Sequence, residues 1–179
     1  MDPKAQEIVA FWRDAGPERW FLKDDAFDAE FRRRFEALHF AAARRELDDW
    51  MNEPDGVLAL MILLDQLPRN CFRGTAHMYA TDPLALSLAR RAIDRGTHQA
   101  VDEQMRVFLY LPLMHSEALA DQDHSVRLCA PLEGDYLKHA DGHRDIIVRF
   151  GRFPHRNRML GRDSTPEEQV FLDEGGFSG

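Results

Sequence analysis

Apolar side chains recur at steps of three and four along almost the whole chain, the period of helices with one buried face. Phe27, Phe31, Phe35, Leu38 and Ala42 form one such stripe. Ala85, Leu88, Ala89, Ala92 and Ile93 form another, which Asp82 opens as N-cap before Pro83 and Gly96 closes. Near the end, Ser164 or Thr165 can cap a short helix that begins at Pro166, with Glu167 and Glu168 at its positive end and Val170, Phe171 and Leu172 turned inward. The same pattern predicts helices over 3–14, 56–66, 103–111, 121–137 and 143–152. The apolar run 107–114 is read as helix because Pro112 is poorly tolerated inside a strand and the residues just before it favour helix. No segment alternates as a strand would, so the predicted fold class is all-α.

Three prolines interrupt this pattern by removing a backbone donor and crowding the preceding turn. Pro68 lies in Leu67-Pro68-Arg69-Asn70, Pro112 leads into His115-Ser116-Glu117, and Pro154 lies in Phe150-Gly151-Arg152-Phe153-Pro154-His155-Arg156-Asn157. Their separations of 44 and 42 residues fall within the range of helical-pair repeats and suggest a solenoid-like stack, with a compact bundle as the alternative.

A chain of 179 residues is expected to form a single domain, 1–179, large enough to bury a core. Its longest apolar runs, 57–64 and 107–114, are eight residues each, far short of the roughly 20 needed to span a bilayer. Met1-Asp2-Pro3-Lys4 does not resemble the start of a signal peptide, so the expected location is cytoplasmic. Cys71 and Cys129 form no Cys-x-x-Cys pair and read as small buried hydrophobes. The formal charge of −8 argues against nucleic acid and anionic membranes as partners. That charge is unevenly spread. Residues 142–162 hold six arginines and one acid, which makes the segment +5 and the remainder −13. Such a basic patch either pairs with acidic helices of the same molecule or faces an anion.

The polar residues at the breaks admit both structural and chemical roles. Asp65 continues the apolar face of its helix, so it needs a buried partner, for which Arg69 and Arg73 are spaced. Asn70 suits a helix end. Ser116 is read as a cap for the following helix, with Glu117 at its positive end, because adjacent His115 and Ser116 point about 100° apart and cannot form a nucleophile and base. His143 opens the inward face of its helix. Arg152, His155, Arg156 and Asn157 set two guanidinium forks and an imidazole around a proline turn, chemistry that recognises carboxylate or phosphate. His115, His143, His155, Glu117 and Asp65 lack the spacing of common metal motifs, so no metal or other cofactor is expected.

The segments Leu64-Asp65-Gln66-Leu67-Pro68-Arg69-Asn70 with Arg73, Phe108 through Glu117, and Phe150 through Asn157 with Leu160-Gly161-Arg162 together resemble an uncharacterised bacterial family. It is catalogued as a domain of unknown function and linked to the tetratricopeptide-like helical superfamily. The resemblance implies an array of antiparallel helices and supplies no activity. The Trp, Leu-Gly and Tyr positions of tetratricopeptide repeats are not visible here.

The leading expectation is a helical binding module whose broken helix ends converge on one pocket. Its ligand would be a small anion, a carboxylate or phosphate, or the terminus of a peptide or protein partner. Asp65, Arg69, Asn70, Arg73, His115, Glu117, Arg152, His155, Arg156 and Asn157 would line that pocket. The alternatives are an enzyme using His115 or His155 with Glu117 as acid and base, and a structural protein whose polar groups are all paired internally. Oligomeric state is left open.

Overall fold

The computed structural model describes residues 2–177, and among them there is no β-strand. The most apolar stretch lies at the centre. There α4 (Pro54–Met61) passes through a π turn (Ile62–Gln66) into α5 (Leu67–Cys71), and every residue from 56 to 68 is buried. A helix that is apolar on all sides must be surrounded by others. α1 (Pro3–Ala15), α6 (Asp82–Asp94) and a 3-10 turn at Arg106–Leu109 pack around α4, while α3 (Asp25–Ala43) packs against the π turn and α5. The expected single inward stripe is therefore corrected to a helix enclosed on every face.

α1 and α3 meet through Phe11, Trp12, Phe27 and Phe31, with ring centroids 5.1 to 5.9 Å apart. Phe108 closes this layer edge-on to Trp12 and to Trp20 of α2 (Pro17–Trp20), whose indole donates to the Trp12 carbonyl at 2.6 Å. Gly56 lets α4 approach the Trp50 backbone so closely that a Cβ would be driven into the Trp50 carbonyl. Gly56→Ala is therefore expected to destabilise the fold by about 1 to 3 kcal/mol, read as a lowered denaturation midpoint.

α7 (Leu111–Met114), α8 (Leu119–Cys129), α9 (Tyr136–Phe150) and α10 (Pro166–Asp173) complete the chain. The helix expected over 103–111 is only a turn and a 3-10 segment, because Pro112 at the start of α7 offers no donor to the turn before it. The helix expected over 121–137 ends at Cys129, just before Pro131, and α9 begins earlier than expected, at Tyr136. Pro68 does not end its helix. Ala118 rather than Ser116 occupies the N-cap of α8; the Ser116 hydroxyl accepts from the Ala118 N–H and donates to Asp121. At α10 the expected cap is present as a reciprocal Thr165–Glu168 box.

Cys129 is buried and Cys71 half-buried, and burial pushes both thiols up to about 12. Neither is a nucleophile at neutral pH. Among the described residues no helix is long and apolar enough to cross a membrane. Ile146, Ile147 and Phe153, with Phe150 and Phe171 against them, form a small apolar cluster separate from the main core.

Candidate functional site

Pro68 has no N–H, and the helix absorbs the loss by widening: the Leu67 N–H reaches back five residues to the Ile62 carbonyl. The carbonyls left over are taken by side chains. His39 Nδ1 donates to Leu63 at 2.8 Å, Thr81 Oγ1 to Leu64 at 2.6 Å and Arg69 Nη1 to Asp65 at 2.9 Å. Buried carbonyls must be satisfied in this way. Their satisfaction fixes the turn that carries Asp65.

Asp65 is fully buried. Its Oδ1 accepts from His115 Nδ1 at 2.8 Å and lies 3.2 Å from Arg69 Nη1, and its Oδ2 accepts from Gln66 at 2.6 Å. Burial pushes this carboxyl up, but Arg69 and His115 outweigh burial and hold it at about 2. An ionised Asp65 places the proton of His115 on Nδ1 and leaves Nε2 with its lone pair. Burial and the Arg69 charge lower His115, against the pull of Asp65. Arg69 also forms a two-pronged pair with Asp82, at 2.8 and 2.9 Å. Asp82 is thus not the cap expected of it: Thr81 precedes α6, and the Asp82 carboxylate joins the first and third proline segments.

Arg156 approaches the same Asp82 at 3.5 Å, with its guanidinium 4.8 Å from the Tyr79 ring centroid and 4.5 Å from that of Phe153. It is only 7% exposed, and its Nε has no hydrogen-bond partner among the described residues. Burial and the neighbouring Arg69 lower its pKa. Tyr79 Oη and His155 Nδ1 are likewise buried without a partner among the described residues. Burial raises Tyr79, keeping its hydroxyl protonated, and burial together with Arg156 lowers His155 to about 3. His143 stands 6.1 Å from His115, ring to ring, and donates from Nδ1 to the His139 carbonyl; burial and His115 lower it to about 4.

Asp65, Arg69, His115, His155 and Arg156 therefore come together, one or two from each proline segment. The other five proposed residues do not join them. Asn70 and Arg73 both reach Asp28 on α3, at 2.6 and 3.2 Å, which corrects the expected Arg73–Asp65 pair. Glu117 accepts from Arg162 and from the Phe153 N–H; burial pushes its pKa up, but these bonds, that from Arg162 first, outweigh burial and lower it. Arg152 and Asn157 are tied to Glu168. Glu117 is thus committed to Arg162 and does not face His115 as an acid–base partner. The basic segment is largely paired within the molecule: Arg144, Arg149, Arg152, Arg156 and Arg162 each meet a carboxylate.

Tyr79, Asp82 and Glu168 escaped sequence reasoning as site residues. Asp82-Pro83 carries so strong a helix-start signal that it masked the pairing role, and nothing around Tyr79 marks it. Among the described residues no group of three or more His, Cys, Asp or Glu side chains is placed to hold a metal ion. Cavities of about 370 and 470 Å³ lie elsewhere, beside Trp50 and Gly56 and beside Phe11 and Arg34.

A family model described as "Bacterial protein of unknown function (DUF924)" matches residues 8–176. A solved structure of a protein of unknown function from Agrobacterium tumefaciens is similar at 61% identity and a TM-score of 0.93, covering 96% of this chain and 97% of that one. No curated protein matches the chain.

Proposed function

We propose that this chain, which belongs to the bacterial family DUF924, is a helical binding module that takes a small carboxylate or phosphate, or a peptide's terminal carboxylate, on Arg156. One observation carries this: among the described residues, a guanidinium 7% exposed has an unbonded Nε and only a 3.5 Å approach to a carboxylate that Arg69 already holds twice. A buried charge so poorly paired lowers stability. A bound anion would supply the missing acceptor, with Tyr79 Oη and His155 Nδ1, equally unbonded, as further donors to it. The remaining proposed residues serve as the frame: Asp28 clamps Asn70 and Arg73, and Glu117 and Glu168 hold the third segment in place.

A second reading keeps acid–base chemistry but moves its centre. His115 is oriented by buried Asp65, the arrangement in which a carboxylate sets the tautomer of a general base. At neutral pH its nitrogen resonances should show Nδ1 protonated and Nε2 bare. An imidazolium, or the opposite tautomer, would end this reading.

Residues 1–179 are taken as one domain on a tetratricopeptide-like scaffold. The contacts of α6 with α7, α7 with α8 and α8 with α9 support stacking of sequence neighbours.

Arg156→Met separates the binding role from a structural one. Methionine fills similar space without a charge, so the melting temperature should hold or rise. The stabilisation given to wild type by inorganic phosphate or succinate in a thermal-shift assay should disappear, with affinity lowered by roughly 10- to 100-fold. A lower melting temperature with unchanged anion response would show that Arg156 is only a brace.

A further inference from the structure

Apart from the residues around Arg156, two imidazoles meet nitrogen to nitrogen. His39 Nε2 and His77 Nε2 are 3.0 Å apart, with ring centroids 5.2 Å apart and planes at 74°. His39, on α3, is fully buried, and its Nδ1 donates to the Leu63 carbonyl of the π turn. A carbonyl can only accept, so this bond keeps the His39 proton on Nδ1 and leaves Nε2 as a bare lone pair. A hydrogen bond that fixes one ring nitrogen in this way prepares the other to ligate a metal. His77 is half-buried on a short 3-10 turn, Ala76–Tyr79, and donates its Nε2 proton to His39. Moving that proton to Nδ1 makes His77 a second bare Nε2, with no change in net charge.

The spacing suits an ion. Two imidazole nitrogens bound at roughly 2.0 to 2.1 Å to one tetrahedral ion stand about 3.3 Å apart, with ring centres about 5.2 Å apart. The His39 and His77 rings already have that separation, so they need only tilt until their lone pairs converge, parting the nitrogens by about 0.3 Å. Phe72, 4.2 Å from the His77 ring, and Phe40, 5.0 Å from the His39 ring and 5.5 Å from that of His77, form an apolar shell around the pair. Burial lowers the His39 pKa, and the charge of Glu36, one turn earlier on α3, opposes this. Arg32 holds the Glu36 carboxylate at 2.8 Å, and among the described residues no third His, Cys, Asp or Glu completes a metal set. The site is therefore open, with its other positions left to water or a small ligand.

We infer that His39 and His77 form a two-histidine site for a divalent ion of the Zn²⁺ class, bound through both Nε2 atoms. Imidazole ligands suit Zn²⁺, Ni²⁺ and Cu²⁺ rather than Mg²⁺ or Ca²⁺. The site is independent of the Arg156 reading and shares no residue with it.

Zinc chloride added to the chelator-treated full chain tests this. Calorimetry should show a site of micromolar affinity, and the melting temperature should rise with the ion. In nitrogen-15 NMR of the wild-type imidazoles, the Nε2 resonances of His39 and His77 should move on addition of Zn²⁺, and the His77 proton should pass from Nε2 to Nδ1. His77→Ala leaves a single imidazole and should weaken binding by about tenfold or more. No binding by wild type, a smaller loss in His77→Ala, or resonance changes confined to other histidines would overturn the site and leave the pair a structural hydrogen bond. Should His77→Ala fail to fold, the wild-type resonances alone decide between these outcomes.

Discussion

Replacing Asp65 by alanine is expected to remove ~3 to 5 kcal/mol of folding stability, because it strands charges and donors that have no route to water. The residue is fully buried and serves Arg69, His115 and Gln66 at once. Arg69 would keep Asp82, but the His115 Nδ1–H and the Gln66 amide would lose their acceptor. Asp65→Asn keeps one acceptor oxygen while losing the charge and turning the other oxygen into a donor, so its cost should be smaller, ~1.5 to 3 kcal/mol. Urea denaturation measures both: the midpoint should fall in that order at an unchanged slope. Equal stability for Asp65→Ala and wild type would mean that the network contributes nothing to the fold.

The same network sets how stability depends on acid. Asp65 has a folded pKa of about 2, below its ordinary 3.8. Its contribution is therefore complete above about pH 4 and is lost as pH falls toward 2. The imidazoles act in the same direction at higher pH. His143 and His155 are lowered to about 4 and about 3 from an ordinary 6.5, so the unfolded chain takes up their protons first. Stability should start to fall below about pH 6.5 and fall further between pH 4 and 2. Asp65→Asn should flatten only the lower limb.

The helical class was legible because period three-to-four burial is written in the stripes of Phe27, Phe31 and Phe35 and of Ala85, Leu88 and Ala92. The junctions were less so. Pro68 and Pro112 carry the same local signal, yet one is absorbed by a π turn and the other starts a new helix. The difference lies in His39 and Thr81, which reach the freed carbonyls from distant parts of the chain. No local window contains them. For the site, the types of side chain were legible and their partners were not. Asp65 lies four residues from Arg69 and does pair with it, as helical spacing allows. Arg73, eight residues from Asp65, is instead drawn to Asp28, 45 positions away, because α3 packs against α5. Arg152 and Arg156 looked equivalent in sequence, but only Arg152 has a carboxylate largely to itself, and that difference is what singles out Arg156.

Glu168→Ala is expected to cost about 3 kcal/mol and to abolish anion binding together with that stability. Glu168 is 2% exposed and accepts from Arg152 at 2.6 and 2.8 Å, from Asn157 at 3.2 Å and from the Thr165 N–H at 2.8 Å. These bonds close the loop that carries His155 and Arg156 against α10. The hydrogen bond from Arg152 is the first cause of its depressed pKa of about 2, so its contribution is present above about pH 4.5 and lost as pH falls toward 2. The apolar support beneath this loop is the small cluster of Ile146, Ile147 and Phe153, separate from the main core. Losing Glu168 should therefore open this region before the rest. Hydrogen exchange should quicken across 151–173 while 54–71 stays protected. Uniform quickening over the whole chain would mean that the loop and the main core unfold together. Unaltered binding of phosphate by the variant would show that Arg156 holds its place without the loop's anchor.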